Sequence, residues 1–190
     1  MSDIVRAALD ETIALHRRVR DADLQPLLDA AAAVGKAVTT GGKLLLFGNG
    51  GSASDAQHVA AELVWRFQRE RAALAAIALT VDTSVLTSVA NDTAYNRVFA
   101  RQVEALGRAG DVALGISTSG ASANVVAALE VARARGLLTI ALTGRDGGPV
   151  GRAAAIHVNV PSEVTARVQE VHRTLLHVMC DIVERSLVDH

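Results

Sequence analysis

Short apolar runs alternate with helical stretches along this sequence, and no other feature restricts the fold as much. The runs are rich in Leu, Ile, Val and Ala, and most are followed by a segment with helical periodicity. The predicted strands are residues 44–47, 75–79, 112–116, 138–142 and 156–160. Strands that are connected by helical crossovers lie parallel in one sheet. We therefore expect an α/β fold built on a five-stranded parallel sheet.

Both ends of the chain have a helical pattern. Apolar residues recur at helical spacing between residues 4 and 19, and the stretch LQPLLDAAAAVGKAV continues the pattern, so two helices should precede the first strand. Residues 163–187 carry apolar side chains at steps of three and four, which predicts a long amphipathic closing helix. Before this helix, the Gly-rich segment 143–153 is predicted to be the most flexible loop.

Charge and composition exclude several classes of partner. The formal net charge is -1 and aromatic residues make up 3% of the chain, so neither a basic nucleic-acid face nor a stacking platform for single strands is expected. We expect the partners to be small molecules or copies of the chain itself, with no nucleic acid.

The chain is expected to be cytoplasmic. Its N-terminus lacks the basic start and the continuous apolar core of a signal peptide, and no run of about 18 uncharged apolar residues could span a membrane. Cys180 is the one cysteine, which excludes an internal disulfide and fits a reducing compartment.

The loop after the first strand has the glycine spacing of a dinucleotide-binding turn. Gly48, Gly50 and Ala53 follow a strand and precede a helix, and Asp82 lies just beyond the second strand. A tight strand-to-helix turn without any ligand has the same pattern. Because two helices precede this loop and a second anion-binding loop of different chemistry follows it, we expect no nucleotide cofactor.

The loop after the third strand is rich in hydroxyl groups. Ser117, Thr118, Ser119 and Ser122 stand between a strand and a helix that is predicted to begin near Ala121. Hydroxyls and backbone N–H groups at a helix N-terminus suit a phosphate monoester. Helix capping by Ser119 or Ser122 accounts for one hydroxyl but poorly for four. No Lys follows as in a P-loop, which disfavours nucleoside triphosphate transfer.

Four polar side chains on two predicted helices can face one cleft. His58 and Glu62 are four residues apart on the helix after the first loop and so share a face. Gln169 and His177 on the closing helix are eight apart, about 80° around the axis. Taken singly, a histidine at a helix flank is more often a hydrogen-bonded surface residue than a ligand or catalyst, and the spacing of His58 and Glu62 also permits a simple helical pair.

Asn91 and Asp92 are predicted to lie in a polar break between helical stretches. A carboxamide and a carboxylate together can bind vicinal sugar hydroxyls, but Asn-Asp also forms an ordinary turn or N-cap. The residues alone leave both alternatives open.

Five stretches in this order resemble the sugar isomerase (SIS) domain, and within it the phosphoheptose isomerases. The resemblance runs from about residue 5 to residue 187 and rests on GNGGSASDAQHVAAEL, SVANDTAYN, GDVALGISTSGASANVV, TIALTGRDGG and ARVQEVHRTLLH. It implies a single SIS domain over residues 1–190, a three-layer αβα sandwich of flavodoxin-like topology. It also implies a homotetramer, in which the N-terminal helical segment 1–40 makes oligomer contacts and sites form at subunit boundaries.

The resemblance further implies an activity and the residues that perform it. Such enzymes interconvert sedoheptulose 7-phosphate and D-glycero-D-manno-heptose 7-phosphate, the first step toward activated heptose for lipopolysaccharide, capsule or another surface glycan. The catalytic residues carried over are Glu62 and His177. The substrate-binding residues carried over are Asn49, Gly50, Gly51, Glu62, Asn91, Asp92, Ser117, Thr118, Ser119, Ser122 and Gln169. One zinc ion per subunit is implied at His58, Glu62, Gln169 and His177, although zinc rarely takes a carboxamide.

The chemistry of the reaction agrees with these residue types. Moving a carbonyl between C1 and C2 requires removal of a carbon-bound proton, an enediol, and proton delivery at the neighbouring position. Glu62 is the predicted base and His177 the predicted acid, while Gln169 and loop N–H groups would stabilise enediolate oxygens. An exchange of roles between Glu62 and His177 would leave the same residues in place.

The sequence differs from some relatives at one position, and two other functions are alternatives to isomerisation. Ala166 stands three residues before Gln169, where some relatives have an acid. The first rival is a non-catalytic SIS protein that binds a replication initiator or another protein, but those relatives lack the acid and the histidine that stand here as Glu62 and His177. The second is a sugar-phosphate-sensing or nucleotide-binding module, which would need neither residue.

Overall fold

The computed structural model describes residues 1–188 and contains one five-stranded parallel sheet. All five predicted strands are confirmed to within two residues at each end. The strands are β1 Leu44–Gly48, β2 Ala76–Ala78, β3 Val112–Ser117, β4 Leu138–Gly144 and β5 Ile156–Val160. The predicted domain runs to residue 190, and residues 189 and 190 lie outside the described range.

Helices precede, connect and follow the strands. The two helices expected before the first strand and the long closing helix are confirmed. The helices are α1 Ser2–Arg20, α2 Gln25–Thr39, α3 Gly51–Val64, α4 Thr83–Asp92, α5 Val98–Leu106, α6 Ala123–Ala134, α7 Gly148–Ala153 and α8 Thr165–Val188, with a 3-10 turn at Tyr95–Arg97. None of the helices within residues 1–188 is both long and apolar enough to cross a membrane.

Alternating side chains of the strands build a core on each face of the sheet. Leu44 and Leu46 point into a cluster formed with α1, α2, α3 and α8. Leu45 and Phe47 point into a second cluster formed with α5, α6 and α7, against which α4 packs. Because successive side chains of a strand face opposite sides, one run of four apolar residues supplies both cores. The three-layer αβα sandwich is therefore confirmed.

The strand order places the loops after β1 and β3 side by side. The order across the sheet is β2-β1-β3-β4-β5, so the chain goes from β1 outward to β2 and then returns to β3 on the other side of β1. Gly48 pairs with Ile116, which makes the carboxyl ends of β1 and β3 neighbours. Loops diverge at such a switch point and leave a crevice, which is where open α/β sheets of this flavodoxin-like order bind ligands.

Three local predictions were wrong in detail. The segment 143–153 is not an open loop, because β4 extends to Gly144 and α7 follows, with Pro149 in its first turn and Val150 buried. Asn91 and Asp92 form the last turn of α4 instead of a break, which comes only at Thr93. Helix α6 begins at Ala123, two residues later than predicted.

His172 is a buried histidine in the middle of α8. It is 0% exposed, its Nε2–H donates to the Thr143 carbonyl at 2.9 Å, and its Nδ1 has no partner among the described residues. Burial lowers the pKa of His172 to about 4, although the Thr143 carbonyl and Asp55 act in the opposite direction. The imidazole is therefore neutral in the folded protein at neutral pH.

The low pKa of His172 predicts a pH-dependent stability. The unfolded chain takes up a proton near the ordinary value of 6.5 and the folded chain only near 4, so the free energy of unfolding falls as pH falls through this interval. The shift corresponds to about 3 kcal/mol. We expect His172→Gln to flatten this slope when urea unfolding is measured at pH 7.5 and pH 5. The same slope in both proteins would contradict this account.

Candidate functional site

The loops after β1 and β3 are joined by a pair of carboxamides. Asn49 Nδ2 donates to Asn124 Oδ1 at 2.9 Å, and Asn124 Nδ2 donates to Asn49 Oδ1 at 2.8 Å. The Tyr95 hydroxyl also donates to Asn49 Oδ1 at 3.1 Å. Asn124 is buried in the first turn of α6, so this pairing satisfies it and fixes the first loop to the N-terminus of that helix. The predicted substrate-binding residue Asn49 thus has a structural partner that sequence reasoning missed.

Three of the four predicted hydroxyls face one another at the N-terminus of α6. Ser117 Oγ lies 2.9 Å from Ser122 Oγ and 3.4 Å from Ser119 Oγ. Ser122 is the N-cap residue, yet its side chain makes no capping bond, while Ser119 Oγ accepts from the Ala121 N–H at 3.2 Å. Simple capping therefore does not explain the cluster, in which Ser117 lies within hydrogen-bond distance of both other hydroxyls.

Close backbone packing supports this hydroxyl loop from the side of α7. Gly120 has φ +68°, and a Cβ there would overlap the Gly147 carbonyl. The Val150 N–H donates to the Gly120 carbonyl at 2.9 Å. Only glycine combines this backbone conformation with so close an approach. The short helix that was predicted to be a flexible loop therefore buttresses the hydroxyl loop.

His58, Glu62 and His177 come together where α3 meets α8. His58 Nε2 lies 2.7 Å from His177 Nε2 and 3.4 Å from Glu62 Oε1. At that distance one imidazole nitrogen must donate and the other accept, because two N–H groups facing each other would repel. The side chains of His58 and Glu62 are 33% and 21% exposed, so the cluster is open to a ligand. The structure thus brings these three predicted residues together across the contact of the two helices.

The surroundings of His177 favour its neutral form. Burial lowers the pKa of His177, the nearby His58 lowers it further, and Glu62 opposes the shift. The ring also stacks on Phe67, with centroids 5.3 Å apart. A neutral imidazole held at a fixed angle can accept a proton from a substrate and then return it.

Gln169 reaches the first loop and not the histidine pair. Its carboxamide lies against Gly51, where a Cβ would overlap it, and its Nε2 donates to Asp55 Oδ2 at 3.4 Å. Asp55 is buried and also accepts from Arg173. Because a carboxylate only accepts, it orients the Gln169 amide so that Oε1 is left free to accept from a ligand. The position of Asp55 one turn before His58 was the signal that could have identified it.

The remaining predicted residues lie apart from this cluster. Asn91 and Asp92 are exposed, and Asn91 Nδ2 donates to Asp92 Oδ1 at 2.8 Å. Within residues 1–188, no hydrogen bond or ion pair joins these two side chains to the other predicted site residues, and none involves the Thr118 hydroxyl. Gly50 is exposed in the first turn with φ +55°. Asp92 lines a separate surface pocket with Ser88, Val89, Thr93, Arg97 and Arg101.

One open pocket runs along the outer face of α8. It is lined by Ala166, Gln169, Glu170, Arg173, Thr174 and His177. Gln169 and His177, predicted from their spacing to face one cleft, therefore do share a surface. Ala166 lies in the same pocket, so the position where some relatives carry an acid faces it too.

The donor set partly fits a metal ion. Two imidazole nitrogens and a carboxylate converge, which is a combination that zinc accepts. Two nitrogens on one tetrahedral zinc stand about 3.3 Å apart, so the rings of His58 and His177 would have to separate slightly from their present contact. Over the described part of the chain, no group of three or more His, Cys, Asp or Glu has the arrangement of a metal site. Gln169 would have to turn toward the histidines to become a fourth ligand.

Comparison with known proteins identifies relatives over nearly the whole chain. The model of the SIS domain family matches residues 9–144. A phosphoheptose isomerase from Roseiflexus sp. (strain RS-1) is 53% identical over 181 residues, which cover 95% of this chain and 92% of that protein. One from Neisseria meningitidis serogroup C (strain 053442) is 47% identical and covers 100% of this chain and 98% of its own length.

Solved structures give the same result. A phosphoheptose isomerase from Neisseria gonorrhoeae superimposes with a TM-score of 0.91 at 45% identity, over 96% of this chain and 98% of that one. A second, from Francisella tularensis, has a TM-score of 0.92 at 36% identity, over 96% of this chain and 97% of the other.

Proposed function

The chain belongs to the SIS domain family and, within it, to the phosphoheptose isomerases, and from this premise we propose how its own residues carry out the reaction. The chain is an aldose–ketose isomerase of a heptose phosphate. The substrate we propose is sedoheptulose 7-phosphate, and the product is D-glycero-D-manno-heptose 7-phosphate. The observation that carries the proposal is the close approach of His177 to His58, which in turn lies 3.4 Å from Glu62.

The hydroxyl loop would hold the phosphate. Ser117, Ser119 and Ser122 present converging hydroxyls at the positive end of α6, and Thr118 lies between them. The first turn, Asn49 to Gly51, adjoins this loop through Asn124 and so would lie beside the sugar. Binding energy from the phosphate would position the reacting end of the open-chain sugar. Asn91 and Asp92 would bind sugar hydroxyls only if the substrate or a neighbouring subunit brings them closer.

Glu62 and His177 would carry out the two proton transfers of the isomerisation. One abstracts the carbon-bound proton and the other delivers a proton to the neighbouring carbon or oxygen, so that an enediol forms and collapses. The lowered pKa of His177 favours its neutral form, which can accept a proton and then return it. Gln169, held by Asp55 with its oxygen free, would orient hydroxyl groups of the substrate. The replication-initiator-binding alternative is not favoured, because the relatives that match most of the chain are named isomerases.

The isomerase proposal predicts loss of turnover without either proton-transferring residue. We expect Glu62→Gln and His177→Gln each to lower kcat by about 100-fold or more, since general acid–base groups contribute on that scale. The assay incubates each protein with sedoheptulose 7-phosphate and follows formation of the aldose. Glu130→Gln, at an exposed position on α6, is the matched control and should keep wild-type activity. No turnover by the wild type, with or without added zinc, would instead favour a non-catalytic binding module.

We propose one zinc ion per subunit at His58, Glu62 and His177, with Gln169 as the fourth ligand. These residues present the nitrogen and oxygen donors that zinc prefers, but a carboxamide is an unusual partner. When bound, the ion would polarise the substrate carbonyl. The protein residues would still transfer the protons and bind the phosphate.

Metal analysis tests the zinc site directly. We expect purified protein to contain about one zinc per chain, as four-coordinate sites of this donor type hold one ion. His58→Ala should lose it, whereas His157→Gln should keep it because His157 bonds to Thr143 and lies outside the cluster. Equal zinc content in the two variants, measured by mass spectrometry after dialysis, would argue against this site.

We propose a homotetramer in which the N-terminal helices make subunit contacts. Val5, Leu9 and Ile13 form an exposed apolar stripe on α1, with 59%, 57% and 47% of each residue accessible. An apolar groove between α1, α2 and α8 lies beside the stripe. Contiguous apolar surface of this kind is typical of protein interfaces. Such an assembly would place α8 residues near a neighbouring chain. We also propose that the enzyme is cytoplasmic and catalyses the first step of activated-heptose synthesis for a surface glycan.

Charge on the stripe should break the assembly. We expect Leu9→Glu with Ile13→Glu to reduce the mass found by light scattering, because buried unpaired charges oppose association. Asp10→Lys, which lies on the same helix but off the stripe, should leave the mass unchanged. A wild-type protein that is strictly monomeric would rule out the tetramer.

A further inference from the structure

A fully buried carboxylate lies two turns beyond His177 on α8. Glu184 is 0% exposed and accepts three successive backbone N–H groups from the segment after α3. The Phe67 N–H reaches Oε1 at 2.7 Å, and those of Gln68 and Arg69 reach Oε2 at 2.8 and 3.0 Å. Neither the proton transfers nor the phosphate grip uses this residue.

Arg71 is a further partner of the Glu184 carboxylate. Its side chain is 4% exposed, and its Nη2 lies 3.2 Å from Glu184 Oε1. The same Nη2 donates to the Glu62 carbonyl at 2.7 Å, and Nη1 donates to the Leu63 carbonyl at 2.8 Å and the Trp65 carbonyl at 3.1 Å. The last carbonyls of a helix have no partner within the helix. Arg71 therefore caps the C-terminal turn of α3, which is the turn that carries Glu62.

Glu184 is also connected to His177 through one residue. Phe67, whose N–H Glu184 accepts, stacks its ring on His177 with an interplanar angle of 29°. His177 and Glu184 are seven residues apart on one helix face, so the segment between α3 and β2 is attached to α8 at both levels. Arg69 adds an ion pair with Asp181 at 2.6 Å.

We propose that Glu184 and Arg71 are positioning residues that hold Glu62 and His177 in place beside His58. This proposal rests on the proton-transfer roles proposed above. Glu184 anchors Arg71 and the Phe67 backbone to α8, Arg71 fixes the last turn of α3, and Phe67 sets the ring of His177. The two helices that carry the acid–base pair are thereby tied together at the C-terminal end of α3.

The surroundings of Glu184 keep its carboxylate ionised and paired with Arg71. Burial raises the pKa of the Glu184 carboxyl, but the three N–H groups and Arg71 outweigh burial, so its pKa lies below the usual value. Glu184 thus stays ionised and keeps the buried guanidinium paired. The neighbouring Cys180 thiol stays protonated, because burial with Glu62 and Glu184 raises its pKa to about 12. A neutral side chain at position 184 would leave Arg71 without its counter-ion.

A second buried carboxylate provides a matched control. Asp111 is 3% exposed, binds Lys43 Nζ at 2.6 Å and accepts the backbone N–H groups of Lys43 and Arg108. It precedes β3, and its hydrogen bonds are to Lys43 and Arg108, neither of which belongs to α3, α8 or the segment between α3 and β2. Asp111→Asn therefore removes a similar network without touching the acid–base pair.

The steady-state comparison is Glu184→Gln against Asp111→Asn. We expect Glu184→Gln to lower kcat by about 10- to 100-fold, because small displacements of catalytic groups have effects of this size, while KM changes little since the hydroxyl loop is intact. Asp111→Asn should lower the melting temperature and leave kcat close to that of the wild type. Wild-type kcat in Glu184→Gln, or an equal loss in Asp111→Asn, would overturn the proposal.

Trp65 provides a readout that does not require activity. It is the single tryptophan of the chain, it is exposed, and its carbonyl accepts from Arg71. Its fluorescence anisotropy should fall in Glu184→Gln and stay unchanged in Asp111→Asn. If the wild type lacks turnover, the isomerase proposal fails and this comparison alone decides the positioning role. Unchanged anisotropy in Glu184→Gln would then overturn it.

A milder variant covers the case in which Glu184→Gln does not fold. Arg71→Lys keeps a cation beside Glu184 but supplies fewer donors for the carbonyls at the end of α3. We expect a smaller fall in kcat, with KM preserved and Trp65 more mobile. Wild-type values for both kcat and Trp65 anisotropy in Arg71→Lys would argue against the capping of α3 by Arg71.

Discussion

Parallel pairing of β1 with β3 is the interaction on which the rest of the structure depends. Because the chain returns to the other side of β1 after β2, the carboxyl ends of β1 and β3 become neighbours. The glycine turn and the hydroxyl loop, which are far apart in sequence, then lie side by side and are joined by Asn49 and Asn124. The positive end of α6 points into the same crevice. One strand pairing thus assembles the groups proposed for binding the substrate.

Docking of α8 against α3 assembles the groups proposed for chemistry. His177 meets His58 across this contact, and Asp55 binds both Gln169 and Arg173 from the facing helix. Glu184 and Arg71 close the same contact further along α8. Binding residues therefore depend on the sheet, and proton-transferring residues depend on a helix pair packed over it. If these roles hold, a change at the helix contact would affect turnover and leave phosphate binding intact.

Local pattern predicted the strands closely, because each apolar run is bounded by polar or glycine residues and must cross the core. It failed at residues 143–153, where glycine and proline indicated an open loop. Burial of Val150 and the close approach of Gly120 to Gly147 stabilise a short helix there, which local propensity does not reveal. It also misplaced Asn91 and Asp92, because the cap bond from Val85 to Asp82 starts a helix that continues through both residues.

The sequence by itself determined the parallel α/β fold, the two loops and the candidate residues His58, Glu62, Gln169 and His177, since periodicity and loop chemistry are local properties. Only the tertiary structure decided which of these meet. His58, Glu62 and His177 converge, whereas Gln169 turns to Asp55, because a buried carboxylate requires hydrogen-bond donors. The hydrogen bonds of Asn124 with Asn49 and the ion pair of Glu184 with Arg71 are contacts between distant segments. Such contacts leave no local pattern, because each side chain acquires its partner only when the chain is packed.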